Sequence, residues 1–192
     1  MLLLGRLLRD FRADAGEFLP ADLGATLDGF PDERWLDVRS PNVLRIMRAR
    51  LDVAVQKGCD AVEPDNMDGY ANDNGVGLTA ADQLTYNRLI ADEAHQRGLG
   101  VGLKNDLDQI PALVDAFDFA VNEQCHEYDE CEALAPFTAA GKAVFVAEYA
   151  APYVQDADRR ARMCTDARGR NLRTLVLPED LDDSFRHSCD AE

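Results

Sequence analysis

Short apolar runs that stop abruptly at carboxylates and amides recur through this chain, and they constrain its fold more than any other feature. Ala61-Val62 runs into Glu63, Asp65, Asn66 and Asp68, and Val101-Gly-Leu103 into Lys104, Asn105 and Asp106. Phe119-Ala-Val121 leads to Asn122, Glu123 and Gln124, and Val144-Phe-Val-Ala147 to Glu148 and Tyr149. A short apolar run bounded by helical stretches reads as a buried strand. Polar residues gathered at successive strand ends mark the C-terminal face of a parallel α/β fold, where its chemistry sits.

The segments between these runs are helical in period. Ser40-Pro41 is a cap followed by a first-turn proline, after which Val43, Leu44, Met47, Leu51, Ala54 and Val55 recur at helical spacing until Gly58. Thr79 opens another helix, with Asp82 and Gln83 near the capping-box position and Leu84, Leu89, Ile90 and Ala94 on one side, and Arg97-Gly98 closes it. Helical stretches also precede the strands predicted at 119–121, 143–147 and 172–177. Helix-then-strand alternation with crossovers of this length predicts parallel pairing. A (β/α) barrel and a doubly wound sheet both satisfy it. No Gly-x-Gly-x-x-Gly or phosphate loop follows the first clear strand, and acids at several different strand ends favour the barrel.

No linker divides the 192 residues, so one domain over 1–192 is expected. A net charge of -16, from 36 acidic and 20 basic residues, disfavours nucleic acid and fits a cationic or neutral partner, or serves solubility alone. No run approaches the roughly 20 apolar residues of a membrane span. Residues 1–4 are apolar, but their basic residues follow rather than precede them, which is not the order of a signal peptide; the segment reads as the remainder of a strand. The five cysteines form no C-x-x-C pair, and His95, His126 and His187 lie far apart, so neither a metal nor a cofactor is expected. Cys125 and Cys131 flank a short acidic loop they can bridge, Cys164 and Cys189 can tie the C-terminus, and Cys59 reads as a core thiol.

Asp65 and Glu123 end strands separated by one other, which on a barrel sets them across a narrow arc of the same rim. Glycoside hydrolysis needs such a pair, one carboxylate beneath an oxocarbenium-like ring and one acid at the leaving oxygen. The alternative is that each acid caps the following helix or satisfies loop amides. Glu63, two residues from Asp65, points to the same side one layer deeper, with Lys104 as its partner. Asn66, Asp68, Tyr70, Asn105, Asp106, Asn122, Gln124, Glu148 and Tyr149 supply the polar and aromatic lining a sugar requires.

Trp35-Leu-Asp-Val-Arg39, Lys57-Gly-Cys-Asp-Ala-Val-Glu-Pro-Asp-Asn-Met-Asp-Gly-Tyr70, Leu78-Thr-Ala-Ala-Asp-Gln-Leu-Thr-Tyr-Asn87, Val101-Gly-Leu-Lys-Asn-Asp106, Phe119-Ala-Val-Asn-Glu-Gln-Cys125 and Ala143-Val-Phe-Val-Ala-Glu-Tyr149 resemble glycoside hydrolase family 114, the endo-α-1,4-polygalactosaminidases. The resemblance runs from about Asp10 to the C-terminus. It implies a TIM-type barrel, an extracellular or envelope-associated enzyme, and cleavage of α-1,4-linked galactosamine polysaccharide, with Asp65 and Glu123 as the catalytic carboxylates; because they end alternate strands a retaining mechanism is expected, with inversion as the alternative. The acid-rich rim then favours a polymer that is cationic or partly deacetylated. The family has further strands before the segment matching Phe11-Arg-Ala-Asp14 and a strand end that here reads Leu4-Gly-Arg6. About five to six of the roughly eight strands of such a barrel are therefore expected. The strands at 60–65 and 172–177 are expected to flank a gap with open edges. A non-catalytic carbohydrate-binding remnant and a different barrel hydrolase with metal-holding acids are the competing readings.

Overall fold

The computed structural model describes residues 12–190 together with the backbone of Leu2–Leu3 and Leu8–Arg9. Leu4-Gly-Arg6 and Phe11, part of the family comparison above, lie outside the described residues. The chain is α/β throughout and groups into two compact units, Met1–Asp106 with Asp115–Phe117, and Leu107–Val114 with Asp118–Glu192.

The first unit contains β1 (Leu2–Leu3), β2 (Leu8–Arg9), β3 (Leu23–Leu27), β4 (Phe30–Leu36), α1 (Pro41–Gln56), β5 (Ala61–Glu63), α2 (Ala80–His95) and β6 (Gly100–Lys104). Both long helices start where the sequence places them. The Ser40 hydroxyl accepts the N–H groups of Asn42 and Val43, and Thr79 and Asp82 exchange reciprocal bonds as a capping box. Gly58 and Gly98 stop them, at φ +71° and +73°, a region closed to most side chains. The apolar stripes then bury Ile46, Met47, Leu51, Ile90 and Ala94, while Val62, Val101 and Leu103 are buried on the strands. Glu93 of α2 is held by Arg48 of α1 at 2.6 Å and by Arg97 at 2.7 Å. The hydrogen bond from Arg48, foremost, keeps its carboxyl below the ordinary range despite burial.

The strand at 60–65 does not border a gap. β5 pairs in parallel with β1 on one side, Leu2 opposite Val62, and with β6 on the other, Val62 opposite Val101. β2, β4 and β3 form a separate antiparallel sheet, which the helix-then-strand reading did not contain. β3 and β4 meet at Asp28-Gly29, with Leu27 opposite Phe30 and Gly29 at φ +76°. An Asp-Gly pair between strand-compatible runs is a hairpin signal. It is masked here because Pro31, Asp32, Glu33 and Arg34 give β4 little apolar alternation.

The second unit contains α3 (Ile110–Leu113), β7 (Phe119–Glu123), α4 (Ala135–Ala139), β8 (Val144–Glu148), α5 (Ala151–Gln155), α6 (Ala157–Gly169), β9 (Arg173–Val176) and β10 (His187–Ser188). β7, β8 and β9 run parallel in order, and β10 covers the far edge of β9 antiparallel, so the strand ending near Leu177 is not an open edge either. Alternation divides the sheet: Ala120, Asn122, Val144, Val146, Glu148, Thr174 and Val176 are buried, while Val121, Glu123, Ala147 and Leu175 are only half-buried and Phe145 is exposed.

Both cysteine pairs are joined, Cys125–Cys131 with α-carbons 4.7 Å apart and Cys164–Cys189 at 5.0 Å. Cys59 is a free thiol, half-buried rather than in the core, because it follows the exposed turn at Gly58. Converting both Cys125 and Cys131 to alanine should lower the unfolding free energy by about 2 kcal/mol, the chain-entropy value for so short a loop. Denaturant titration of the variant beside the oxidised parent checks this, and equal midpoints would refute it. Among the described residues no helix is long and apolar enough to cross a membrane.

Candidate active site

In the first unit the acids follow β5 directly. Pro64 is buried and Asp65 emerges half-buried. The Asp65 carboxylate accepts the Asn66 N–H at 3.0 Å and faces Lys104 Nζ at 3.0 Å. Lys104, at the end of the neighbouring β6, also lies 3.8 Å from Glu63 Oε1. Lys104 and Glu63 are both buried, so one ammonium serves two carboxylates where water is scarce, the arrangement a buried charge requires. The expected Glu63–Lys104 partnership is present, and Asp65 is the closer of the two acids.

The turn beyond β6 is unusual. Asn105 and Asp106 both sit at φ +49°, and Asn66 at φ +56°, in the left-handed region that costs free energy for a side chain with a Cβ. Asp106 is held there from below: its Oδ2 accepts Asn87 Nδ2 at 2.8 Å, Asn87 also donates to the Met67 carbonyl at 3.0 Å, and Gln83 donates to Asn87 Oδ1 at 2.6 Å. Gln83 and Asn87 are fully buried on α2. This network ties the segments carrying Asp65 and Asp106 to one helix. Sequence reading placed Gln83 with the capping box, which Thr79 and Asp82 form, and gave Asn87 no role of its own, although two amides one turn apart among buried positions are a readable signal. Asp106 is thus buried and internally bonded, whereas Asn66, Asp68, Tyr70 and Asn105 are half-buried.

In the second unit Glu123 ends β7 opposite Ala147 of β8, and the Tyr149 hydroxyl donates to Glu123 Oε1 at 2.8 Å. Gln124 turns the chain at φ +65°, with its N–H on the Ala147 carbonyl, and its side chain donates to Glu127 at 2.7 Å. Asn122 and Glu148, read from the sequence with the sugar lining, alternate to the opposite face and are buried. Glu148 reaches under the loop closed by Cys125–Cys131, and its Oε1 accepts the His126 N–H at 2.8 Å. Burial pushes Glu148 up to about 7, against the pull of the His126 and Glu127 amides. His126 is driven the other way by desolvation, which outweighs nearby Asp166. Cys125, His126 and Cys131 bring their donor atoms within 4.8 Å of one another, but the disulfide leaves that trio no thiolate with which to bind an ion.

Each candidate acid therefore ends a parallel strand beside a built partner, Lys104 for Asp65 and Tyr149 for Glu123. Ega3 of Aspergillus fumigatus, solved in complex with galactosamine, is 39% identical to this chain, covering 95% of it and 75% of the Ega3 chain, with a TM-score of 0.87. The glycoside hydrolase domain of PelA from Pseudomonas aeruginosa is 16% identical over 94% of this chain and 78% of its own, with a TM-score of 0.68, a likeness of fold. No curated protein sequence matches the chain. The sequence profile of glycoside-hydrolase family GH114 matches residues 7–192, and with the strand-end carboxylates in place the chain belongs to that family of glycosidases.

Proposed function

We propose that the chain hydrolyses α-1,4-linked galactosamine-containing polysaccharide, with Asp65 as nucleophile and Glu123 as acid/base of a retaining mechanism on a TIM-type (β/α) barrel. The observation that carries the substrate is the 39% identity, across 95% of the chain, to a protein solved with galactosamine. Parallel strands with acids at their C-terminal ends support the barrel and the site.

In this reading the Asp65 carboxylate, steadied by Lys104 and the Asn66 amide, attacks the anomeric carbon. Glu123, oriented by the Tyr149 hydroxyl, gives its proton to the departing glycosidic oxygen. Glu123 then takes a proton from water as that water displaces Asp65 from the glycosyl-enzyme. Only the protein's own acids and water take part. The excess of 36 acidic over 20 basic residues favours a substrate that is cationic or partly deacetylated. The two disulfides support an extracellular or envelope location.

Incubation with a partly deacetylated α-1,4-galactosamine polymer should release new reducing ends, and proton NMR at early times should show the α anomer first. Binding without new reducing ends would overturn the hydrolytic reading, and β product first would replace retention by inversion. Equal cleavage of a fully N-acetylated polymer at every ionic strength would remove the preference for free amines.

A further inference from the structure

An open groove of about 610 Å³ runs between the β3–β4 hairpin and residues 72–73, and none of the strand-end residues described above lines it. That volume is in the range of small-molecule and sugar sites. Its walls are pinned together. The Ala25 N–H donates to the Asn74 carbonyl at 2.8 Å, and the approach is so close that a Cβ on Gly24 would collide with that oxygen. A Cβ on Gly75 would stand 2.6 Å from the Ala25 nitrogen. Asn74, buried, braces the far wall: its amide donates to the carbonyls of Gly69 and Asn72, and its oxygen accepts the N–H groups of Val76 and Leu78. The groove is thus preformed, which lowers the ordering cost of binding.

What the groove presents is specific. Phe30 is 57% exposed, a large aromatic face with no cover in the unit. Asp28 and Asp73, also lining it, make no ion pair with any described residue. An aromatic face takes the apolar side of a sugar ring or a cation, and unpaired carboxylates take ammonium groups. The wall at 72–73 belongs to the segment that leaves Asp65, so the groove shares its loop with the candidate nucleophile.

We propose that this groove is a further binding subsite for amino sugars, holding a stretch of cationic polysaccharide with Phe30 as the stacking face and Asp28 and Asp73 as ammonium acceptors. The assignment rests on the galactosamine reading above. It explains why an exposed phenylalanine sits at a hairpin whose other exposed residues are charged or small.

The test is an NMR titration of isotope-labelled chain carrying Glu123→Gln, to prevent turnover, with α-1,4-galactosamine oligosaccharides. Amide shifts are expected at Asp28, Phe30 and Asp73 as well as around Asp65. Phe30→Ala, and separately Asp28→Asn with Asp73→Asn, should weaken binding by about fivefold or more, a loss of roughly 1 kcal/mol. The loss from the paired Asp changes should disappear in about 1 M salt, where exposed charges are screened. Shifts around Asp65 alone, or unchanged affinity in both variants, would overturn the subsite and leave the galactosamine reading standing. No shifts anywhere would remove both.

Discussion

Glu123→Gln is expected to lower kcat/KM on galactosamine polymer by about 10³-fold, the usual worth of a positioned general acid, and Asp65→Asn at least as much. Glutamine keeps the shape of the carboxyl and can still accept the Tyr149 hydroxyl, so the loss reports the missing proton rather than a collapsed site. The double variant should be little worse than either single one, because the two groups serve one reaction path. Tyr149→Phe should cost about fivefold, the worth of one ordinary hydrogen bond of about 1 kcal/mol. Steady-state kinetics, with denaturation midpoints to confirm folding, reads all of these. Turnover near the parent's in either single carboxylate variant would remove that residue from the mechanism.

Glu148→Gln is expected to alter the dependence of stability on pH. In the unfolded chain Glu148 ionises near its ordinary 4.5, whereas burial holds it protonated up to about 7 in the fold. Below pH 4.5 both states carry the proton and the shift has no effect. Between 4.5 and 7 only the unfolded state gives it up, so stability is lost as pH rises, and above 7 the full penalty of about 3 kcal/mol applies. Glutamine cannot ionise, and its carbonyl can still accept the His126 N–H. The variant should therefore match the parent near pH 4 and exceed it by about 1 to 3 kcal/mol at pH 8, the lower figure allowing for lost charge-assisted bonding. Comparing urea midpoints of the two chains at each pH isolates this group from the many other acids. Parallel curves would show that Glu148 ionises over the same pH range in the fold as in the unfolded chain.

The elements that position the acids were legible because their signals are local. Ser40-Pro41, Thr79 with Asp82, and the glycines at 58 and 98 are punctuation that works over a few residues, and the strand ends follow from where apolar runs stop. The cysteine pairings were legible for a similar reason, since a short acidic loop brings Cys125 and Cys131 within reach. The sidedness of the site was less so. Asn122-Glu123-Gln124 reads as one polar cluster, yet the pleat sends Asn122 into the core and Glu123 out, and Glu148 and Tyr149 part in the same way. The buried Gln83–Asn87–Asp106 network was hidden because it joins a helix to a turn distant in sequence. The β3–β4 hairpin escaped for a third reason: Gly24 lies against the Asn74 carbonyl and Gly75 against the Ala25 backbone, and close backbone approaches of this kind leave no hydrophobic pattern to read.

Both disulfides lie in the unit that carries Glu123, and the unit that carries Asp65 is held among its described residues by capped helices, apolar packing and ion pairs such as Arg48–Glu93. The members of the proposed catalytic pair are therefore exposed to different hazards. A thiol reductant acts on the support of the acid/base and spares that of the nucleophile, while acid strong enough to protonate Glu93 loosens the ties of Arg48 and Arg97 in the unit of the nucleophile. Redox poise therefore bears on the support of one carboxylate only, the acid/base.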